Sequence, residues 1–360
     1  MSVKTNLLVG GRNADTRVHE DIWMVGKSCP AIDVGAASVL LYITDHDTGA
    51  FPNGSRGRER ADRLRPARMV RPWMAEHAKA QRSEEAMTDP ATATVVPTAG
   101  GDAVRVELHG HVLLVTINRP DARNAVNTQV TLGIGEALDY AEDQTDVWVV
   151  IVTGAGEKAF CAGQDLKQAA AGVHLDDPRV ERWGFAGFVR HAISKPVIAA
   201  VNGFALGGGT EIVLASDLAV AVDTASFGLP EVKRGIYAGA GGAFRLGRQI
   251  PVKIAMEAIL TGEPISAQRA SELGLVNRVV PAGELLDAAF ELAGRVMANA
   301  PVAVQASKRI ARGITNGAVV AEQPDWERSQ VEGKNVITSA DAQEGMRAFA
   351  EKRVPRWQGK

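Results

Sequence analysis

Two glutamates and two glycine-bearing loops are the features of this 360-residue chain whose types and spacing suit chemistry. Gly207, Gly208 and Gly209 stand in a row before a helix-like stretch, Thr210 to Ala215, and Glu211 comes two residues after the last of them. Amides at a helix start lack internal partners, and glycine lets the backbone approach an anion closely. Glu231 follows the apolar turn Phe227-Gly228-Leu229-Pro230, which could carry its carboxyl into a poorly hydrated place and raise its pKa toward a general-acid range. The second loop is Phe160-Cys161-Ala162-Gly163-Gln164-Asp165. Such parts suit a reaction in which main-chain N–H groups steady a developing oxyanion while carboxyls move protons. Spacing alone also leaves the plainer reading open, because glutamates at helix starts and in turns are more often solvated surface residues.

Other chemistries lack their signatures. A phosphate-binding P-loop needs Gly-Lys-Ser/Thr, whereas Gly209 is followed by Thr210 and Glu211, and a dinucleotide fingerprint fails on spacing. No Gly-x-Ser-x-Gly elbow is present for a serine hydrolase. His109 and His111 flank Gly110, but no third ligand has a metal-site spacing, so they read as hairpin decoration and no metal is expected. Forty basic against forty-two acidic residues leave a net charge of -2, which disfavours general nucleic-acid or membrane binding. Two cysteines, Cys29 and Cys161, make no disulfide framework, which fits a reducing, cytoplasmic setting. No apolar run approaches a membrane span, and no signal-peptide pattern opens the chain.

The elements that must position these residues begin after about residue 95. Residues 1–95 lack a sustained period of 2 or 3.6, carry the arginine run Arg56 to Arg71, and read as a poorly ordered extension; Met87 is a candidate native start. Beyond it, Val104, Val106 and Leu108 alternate with polar residues, and His111 to Asn118 returns as a strand, which predicts a hairpin. A helix capped by Asn127 or Thr128 follows, with Leu132, Ile134, Ala137, Leu138 and Ala141 as its buried stripe. Val147 to Val152 and Val197 to Val201 are continuous apolar runs of the kind covered on both faces, and each leads into one of the two glycine loops. Helical patterns then dominate: Ala243 to Gln249, Val252 to Leu260, Ala267 to Leu273, Glu284 to Asn299, Val302 to Arg312 and Ala340 to Lys352. Residues 96–290 are expected to form the core and 291–360 a C-terminal helical region.

Further motifs stand in order along residues 104–360: Asn118-Arg119-Pro120 with Asn124-Ala125, the Phe160 to Asp165 loop, Lys195-Pro196-Val197 through Asn202-Gly203, and Gly207-Gly208-Gly209-Thr210-Glu211. They continue through Phe227 to Glu231, Gly239-Ala240-Gly241-Gly242, Leu260-Thr261-Gly262, Gly274-Leu275-Val276 and Phe349 to Arg353. Taken together, these residues resemble the crotonase superfamily in its enoyl-CoA hydratase branch. The resemblance implies an α/β fold, a crotonase-like spiral of ββα units with a C-terminal helical trimerisation region, assembled as a homotrimer or homohexamer. It implies an acyl-CoA substrate, with water added reversibly across C2=C3 of a 2-enoyl thioester and no cofactor beyond the coenzyme A of the substrate itself. By position, the backbone N–H groups of Gln164 and Gly208 would form the oxyanion hole, and Glu211 and Glu231 the catalytic pair. Asp121, Ala122 and Arg123, with Asp165, Leu166 and Lys167, would lie along coenzyme A, and Lys352 would approach its nucleotide end.

Possession of both glutamates favours hydration over double-bond isomerisation, since isomerases of the superfamily often lack the first. A carnitinyl-CoA-type dehydratase would use the same pair. A non-catalytic acyl-CoA or RNA-binding scaffold is a further alternative. Typical hydratases show Pro-Gly-Ala-Gly-Gly-Thr-Gln-Arg-Leu where this chain has Ala238 to Leu246, preceded by Tyr237, and Gln164 replaces a commonly small residue. Trp183 to His191 with Gly228 to Gly235 is similar to actinobacterial relatives, including hydratases of steroid side-chain thioesters; core packing of Trp183, Phe185 and Phe188 is the plainer reading.

Overall fold

The computed structural model describes residues 93–172 and 175–360, together with the backbone of one short antiparallel pair, Ile32–Val34 (β1) and Ala37–Val39 (β2). The chain divides into two units, Met1–Val70 and Arg71–Lys360, and the second holds the features of interest. The arginine run, Cys29, the Met87 start and the expected poor order of the first ninety or so positions lie outside the described residues. Thr94–Val95 (β3), at the end of that expected extension, already pairs with the main sheet.

The hairpin forms where alternation predicts it, Val104–His109 (β4) against Val112–Ile117 (β5), turning at Gly110. Thr128–Asp143 (α1) follows, and the Asn127 side chain caps it by accepting from Val130 N. Its buried face is Val130, Ile134, Ala137, Leu138 and Ala141, while Leu132 is only partly covered. Pairs of strands then alternate with helices, two helices in the first round and one in each of the next two. Val149–Gly154 (β6) and Ala159–Cys161 (β7) precede Leu166–Ala170 (α2) and Pro178–Trp183 (α3). Val197–Val201 (β8) and Phe204–Leu206 (β9) precede Gly208–Ala215 (α4). Leu218–Val222 (β10) and Ser226–Gly228 (β11) lead through a 3₁₀ turn, Pro230–Arg234, to Gly242–Gln249 (α5). This is the spiral of ββα units.

The first strand of each round joins a seven-stranded sheet and the second a four-stranded one. The larger sheet runs Arg278–Val280 (β13), β10, β8, β6, β5, β4, β3, and it is parallel from β13 to β5. Every residue of β5, β6 and β8 is buried, as continuous Val/Ile/Ala runs require when both faces are covered. The smaller sheet runs Ile265–Ser266 (β12), β11, β9, β7, with β7, β9 and β11 mutually parallel. Val252–Thr261 (α6) and Ala267–Glu272 (α7) flank β12.

Leu285–Met297 (α8) lays Leu285, Ala289, Leu292 and Ala293 into the core and packs on β8 and β10. The expected boundary at 290 falls inside this helix, because its apolar stripe is continuous across that point. Pro301–Arg312 (α9) comes next, and then the two-residue strands Ile314–Thr315 (β14) and Ala318–Val319 (β15). Gln323–Ile337 (α10) and Ala340–Ala350 (α11) complete the described helices. Sequence periodicity misses α10 because only Asp325 and Trp326 of it are buried. Among the described residues, no helix is long and apolar enough to cross a membrane.

Candidate functional site

Three parallel strands of the small sheet end side by side, and their exits carry the candidate residues. Leu206 of β9 lies opposite Gly228 of β11, and Cys161 of β7 opposite Ala205 of β9. Chain leaving β7 therefore supplies Gln164, chain leaving β9 supplies Gly208 and Glu211, and chain leaving β11 supplies Glu231. Loops at the carboxyl ends of parallel strands are the usual ligand position in α/β proteins. Thr210 clamps two of these exits together: its hydroxyl lies 2.6 Å from Ala205 O and 2.9 Å from Gly228 O, and accepts from Gly228 N. Gly207 N also donates to Gly228 O at 2.8 Å.

Each glycine of the triplet is required by a different neighbour. Gly207 has φ +55°, and a Cβ there would lie 2.8 Å from Glu231 Oε1. A Cβ on Gly208 would enter the Phe185 ring at 2.2 Å, and one on Gly209 would meet Cys161 O at 2.0 Å. Glycine at 208 is thus demanded by the ring behind the peptide as well as by whatever approaches its front. Among the described residues, neither the Gln164 nor the Gly208 amide donates to another protein group. The two loops touch, since a Cβ on Gly163 would come within 3.3 Å of Gly208 N.

The loop that holds Gln164 is stitched to the preceding one. Val126 N donates to Gly163 O, Asp165 N to Val126 O, and Ala162 N to Arg123 O. Asn124, fully buried at φ +55°, accepts from Arg119 N and donates to Ala155 O and Ala159 O. Arg119 Nη2 meets Asp165 Oδ2 at 2.8 Å, while Asp165 Oδ1 accepts from Lys167 N and Gln168 N. Partial burial works against the Asp165 carboxylate, but the Arg119 guanidinium and these amides outweigh it and hold its pKa below the usual range. Both Asp165 oxygens are engaged within the loop. Asp121, Arg123, Leu166 and Lys167 are exposed, and Ala122 is half-buried, in the same neighbourhood. Lys352 is exposed after α11, and among the described residues no hydrogen bond or ion pair ties it to this loop. Instead α11 seats beneath the Glu231 turn, where Gly345 lies against Arg234 O and Gly235 against Asp341 O.

Glu211 and Glu231 converge. Glu211 is 3% exposed, and its Oε1 accepts from Gly242 N at 2.8 Å. Burial first, and the Glu231 charge second, push its pKa up to about 8 against the pull of the Gly242 and Ala240 amides and Arg245. Burial likewise raises Glu231 to about 7, and its Oε2 is a buried oxygen without a hydrogen-bond partner among the described residues. Two close carboxyls with raised pKa values titrate as a pair and share one proton near neutral pH. Such a pair can accept one proton and deliver another, close to amides able to hold an oxyanion.

Sequence reasoning missed Phe185, Gly242 and Arg245 as parts of the site; Gly242 and Arg245 stand in a motif that sequence reads only as a likeness. His109 and His111 do not converge: His111 stacks on Trp148 at 3.8 Å, while His109 sits edge-on to Phe290. Cys161 is buried, and its thiol is pushed up to about 12 by that burial.

The profile of the enoyl-CoA hydratase/isomerase family matches residues 107–360. A carnitinyl-CoA dehydratase of Salmonella agona is 43% identical over 262 residues, 72% of this chain and 99% of that protein. The crystal structure of a carnitinyl-CoA hydratase from Mycobacterium avium is 54% identical with TM-score 0.71, covering 72% of this chain and 99% of that one. An enoyl-CoA hydratase from Mycobacterium tuberculosis H37Rv is 45% identical with TM-score 0.56, covering 72% of this chain and all of that one.

Proposed function

The chain belongs to the enoyl-CoA hydratase/isomerase family, and from that premise we propose that it adds water reversibly across C2=C3 of a 2-enoyl-CoA thioester. The support is the convergence of the buried Glu211 and Glu231 on the exits that also carry the undonated Gln164 and Gly208 amides. In the hydration direction, water oxygen bonds to C3 while Glu211 takes one of its protons. The π electrons move toward the thioester carbonyl, whose oxygen gains charge and is held by the two N–H groups. Glu231 gives a proton to C2, which restores the carbonyl. In dehydration each transfer reverses. Loss of one oxyanion donor typically costs about 3 kcal/mol of transition-state stabilisation. Because amides carry the charge and glutamates the protons, the mechanism calls on no metal or redox cofactor.

A second reading, dehydration of a carnitinyl-type 3-hydroxyacyl thioester, is favoured by the names of the relatives at 43% and 54% identity. It uses the same groups and differs in the acyl pocket. The exposed Asp121, Arg123 and Lys167 would meet the coenzyme A phosphates and adenosine, and Lys352 would do so only if the tail of another chain reaches the site. The proposed assembly is a homotrimer, or two trimers paired.

The deciding assay offers short, long and steroid-derived 2-enoyl thioesters and a trimethylammonium-bearing carnitinyl thioester, each to the native chain and to Glu211→Gln and Glu231→Gln. Each variant is expected to lose about 10²- to 10⁴-fold in turnover while still binding acyl-CoA. Full hydration by either variant would remove that residue from the mechanism, and the preferred thioester decides between the two readings.

A further inference from the structure

Behind the acid–base pair lies a second, largely buried group of charges. Arg245, 4% exposed on α5, directs Nε to Glu322 Oε1 at 3.0 Å and Nη2 to Glu322 Oε2 at 2.6 Å. Nη2 also donates to Val189 O at 2.7 Å. Its remaining nitrogen, Nη1, is buried without a partner among the described residues and lies 3.1 Å from where a Cβ on Gly241 would be. Trp326 presses on the same glycine, with its ring 5.3 Å beneath the guanidinium. Gly241 directly precedes Gly242, whose amide holds Glu211. A continuous chain of contacts thus runs from Glu322 and Trp326, in the C-terminal segment, through Arg245 and Gly241 to the Gly242 amide and Glu211.

We propose that Arg245 is a positioning residue for the reaction: its locked guanidinium fixes the Gly241–Gly242 peptide on Glu211 and supplies the buried positive charge behind that carboxyl, under the control of Glu322. This rests on the reading of Glu211 as one of the two proton-transferring groups. The charged and titratable groups facing Glu211 are Glu231 from the 3₁₀ turn, Cys161 from β7 and Arg245 from α5, with Glu322 behind Arg245. Of these, Arg245 alone favours the ionised carboxylate. Arginine suits the task because its planar fork can hold two carboxylate oxygens and a carbonyl while keeping its charge at every working pH.

The test is the pH dependence of kcat/KM for hydration in three variants of the full chain. Arg245→Met removes the charge that favours ionised Glu211, the proton acceptor in hydration, and should move the lower limb of the profile up by about one pH unit. Glu322→Gln leaves Arg245 uncompensated and should move the same limb down. Arg245→Lys keeps charge but loses the fork, so its limb should stay near the native position while kcat falls and KM holds. Opposite limb shifts in the first two are a signature that general loosening of the fold does not produce. Limbs unmoved in folded Arg245→Met and Glu322→Gln protein overturn the proposal, and if Arg245→Met does not fold, Glu322→Gln decides alone. Glu211→Gln, run beside them, separates the premise from the inference. A fully active Glu211→Gln defeats the assignment of the pair, whereas an inactive one with stationary limbs elsewhere defeats the role of Arg245 only.

Discussion

Glu211 and Glu231 occupy positions that a carboxylate resists, and in the proposed reaction that resistance is what makes them useful. Burial and mutual repulsion disfavour the charged forms, so protons that free carboxyls would have released near pH 4.5 are held to about 8 and about 7. The consequence for stability has a definite sign. A carboxyl whose folded-state pKa is raised makes the fold bind more protons than the unfolded chain, so stability is full below about 4.5 and is lost as pH climbs through about 8. Glu211→Gln keeps an acceptor for Gly242 N and has no proton to lose. It should therefore unfold at a higher temperature than the native chain at pH 9, by about 1 to 3 kcal/mol or a few degrees, and close to it at pH 4. Equal differences at both pH values would show that the carboxyl is not strained by its surroundings. The identity of these glutamates is readable from spacing after a glycine triplet and an apolar turn. The apolar turn before Glu231 hints at its burial, but nothing local does so for Glu211, because Gly242, whose amide meets its carboxyl, is 31 residues away and carries no side chain.

At the scale of elements, the site exists because β7, β9 and β11 are parallel neighbours that end together, so three loops separated in sequence open on one edge. The apolar runs of β6 and β8 are legible because both faces are covered, and α1 because Asn127 caps a clear stripe. The short strands β7, β9 and β11 have only three residues each and carry too little pattern to be read. The amphipathic pattern of α10 is similarly thin, although it places Trp326 against Gly241. The N-terminus of α4 is fitted to Phe185 with no room for a methyl group. Gly208→Ala should push that peptide off its position and lower kcat by about 10²- to 10³-fold, as for loss of an oxyanion donor. Phe185→Ala added to it should recover part of the loss, because the ring is the obstacle. A single variant with native kcat would mean that the Gly208 amide does not face the reacting carbonyl.

The whole molecule leaves one helix poorly accounted for by a lone chain. No residue of α9 is buried, and Val302 and Ile310 are 77% and 82% exposed. An apolar surface of this kind calls for a partner, and symmetric self-association is the commonest solution. Light scattering should therefore give three or six times the 38.1 kDa chain mass, and Val302→Asp with Ile310→Asp should bring it toward one; a native chain already at one mass would end the trimer reading. Some properties were determined by the sequence by itself: the opening hairpin, the capped helix after it, the apolar runs of β6 and β8, the two glycine loops and both glutamates. These are local patterns, carried by residues a few positions apart, in which periodicity and turn chemistry act directly. Only the tertiary structure decided that the loops meet, that Phe185 enforces Gly208, that Asp165 is spent on Arg119 and its own helix start, and that Arg245 stands behind Glu211. Those facts depend on contacts between segments tens of residues apart, where burial and charge act through space and leave no period along the chain.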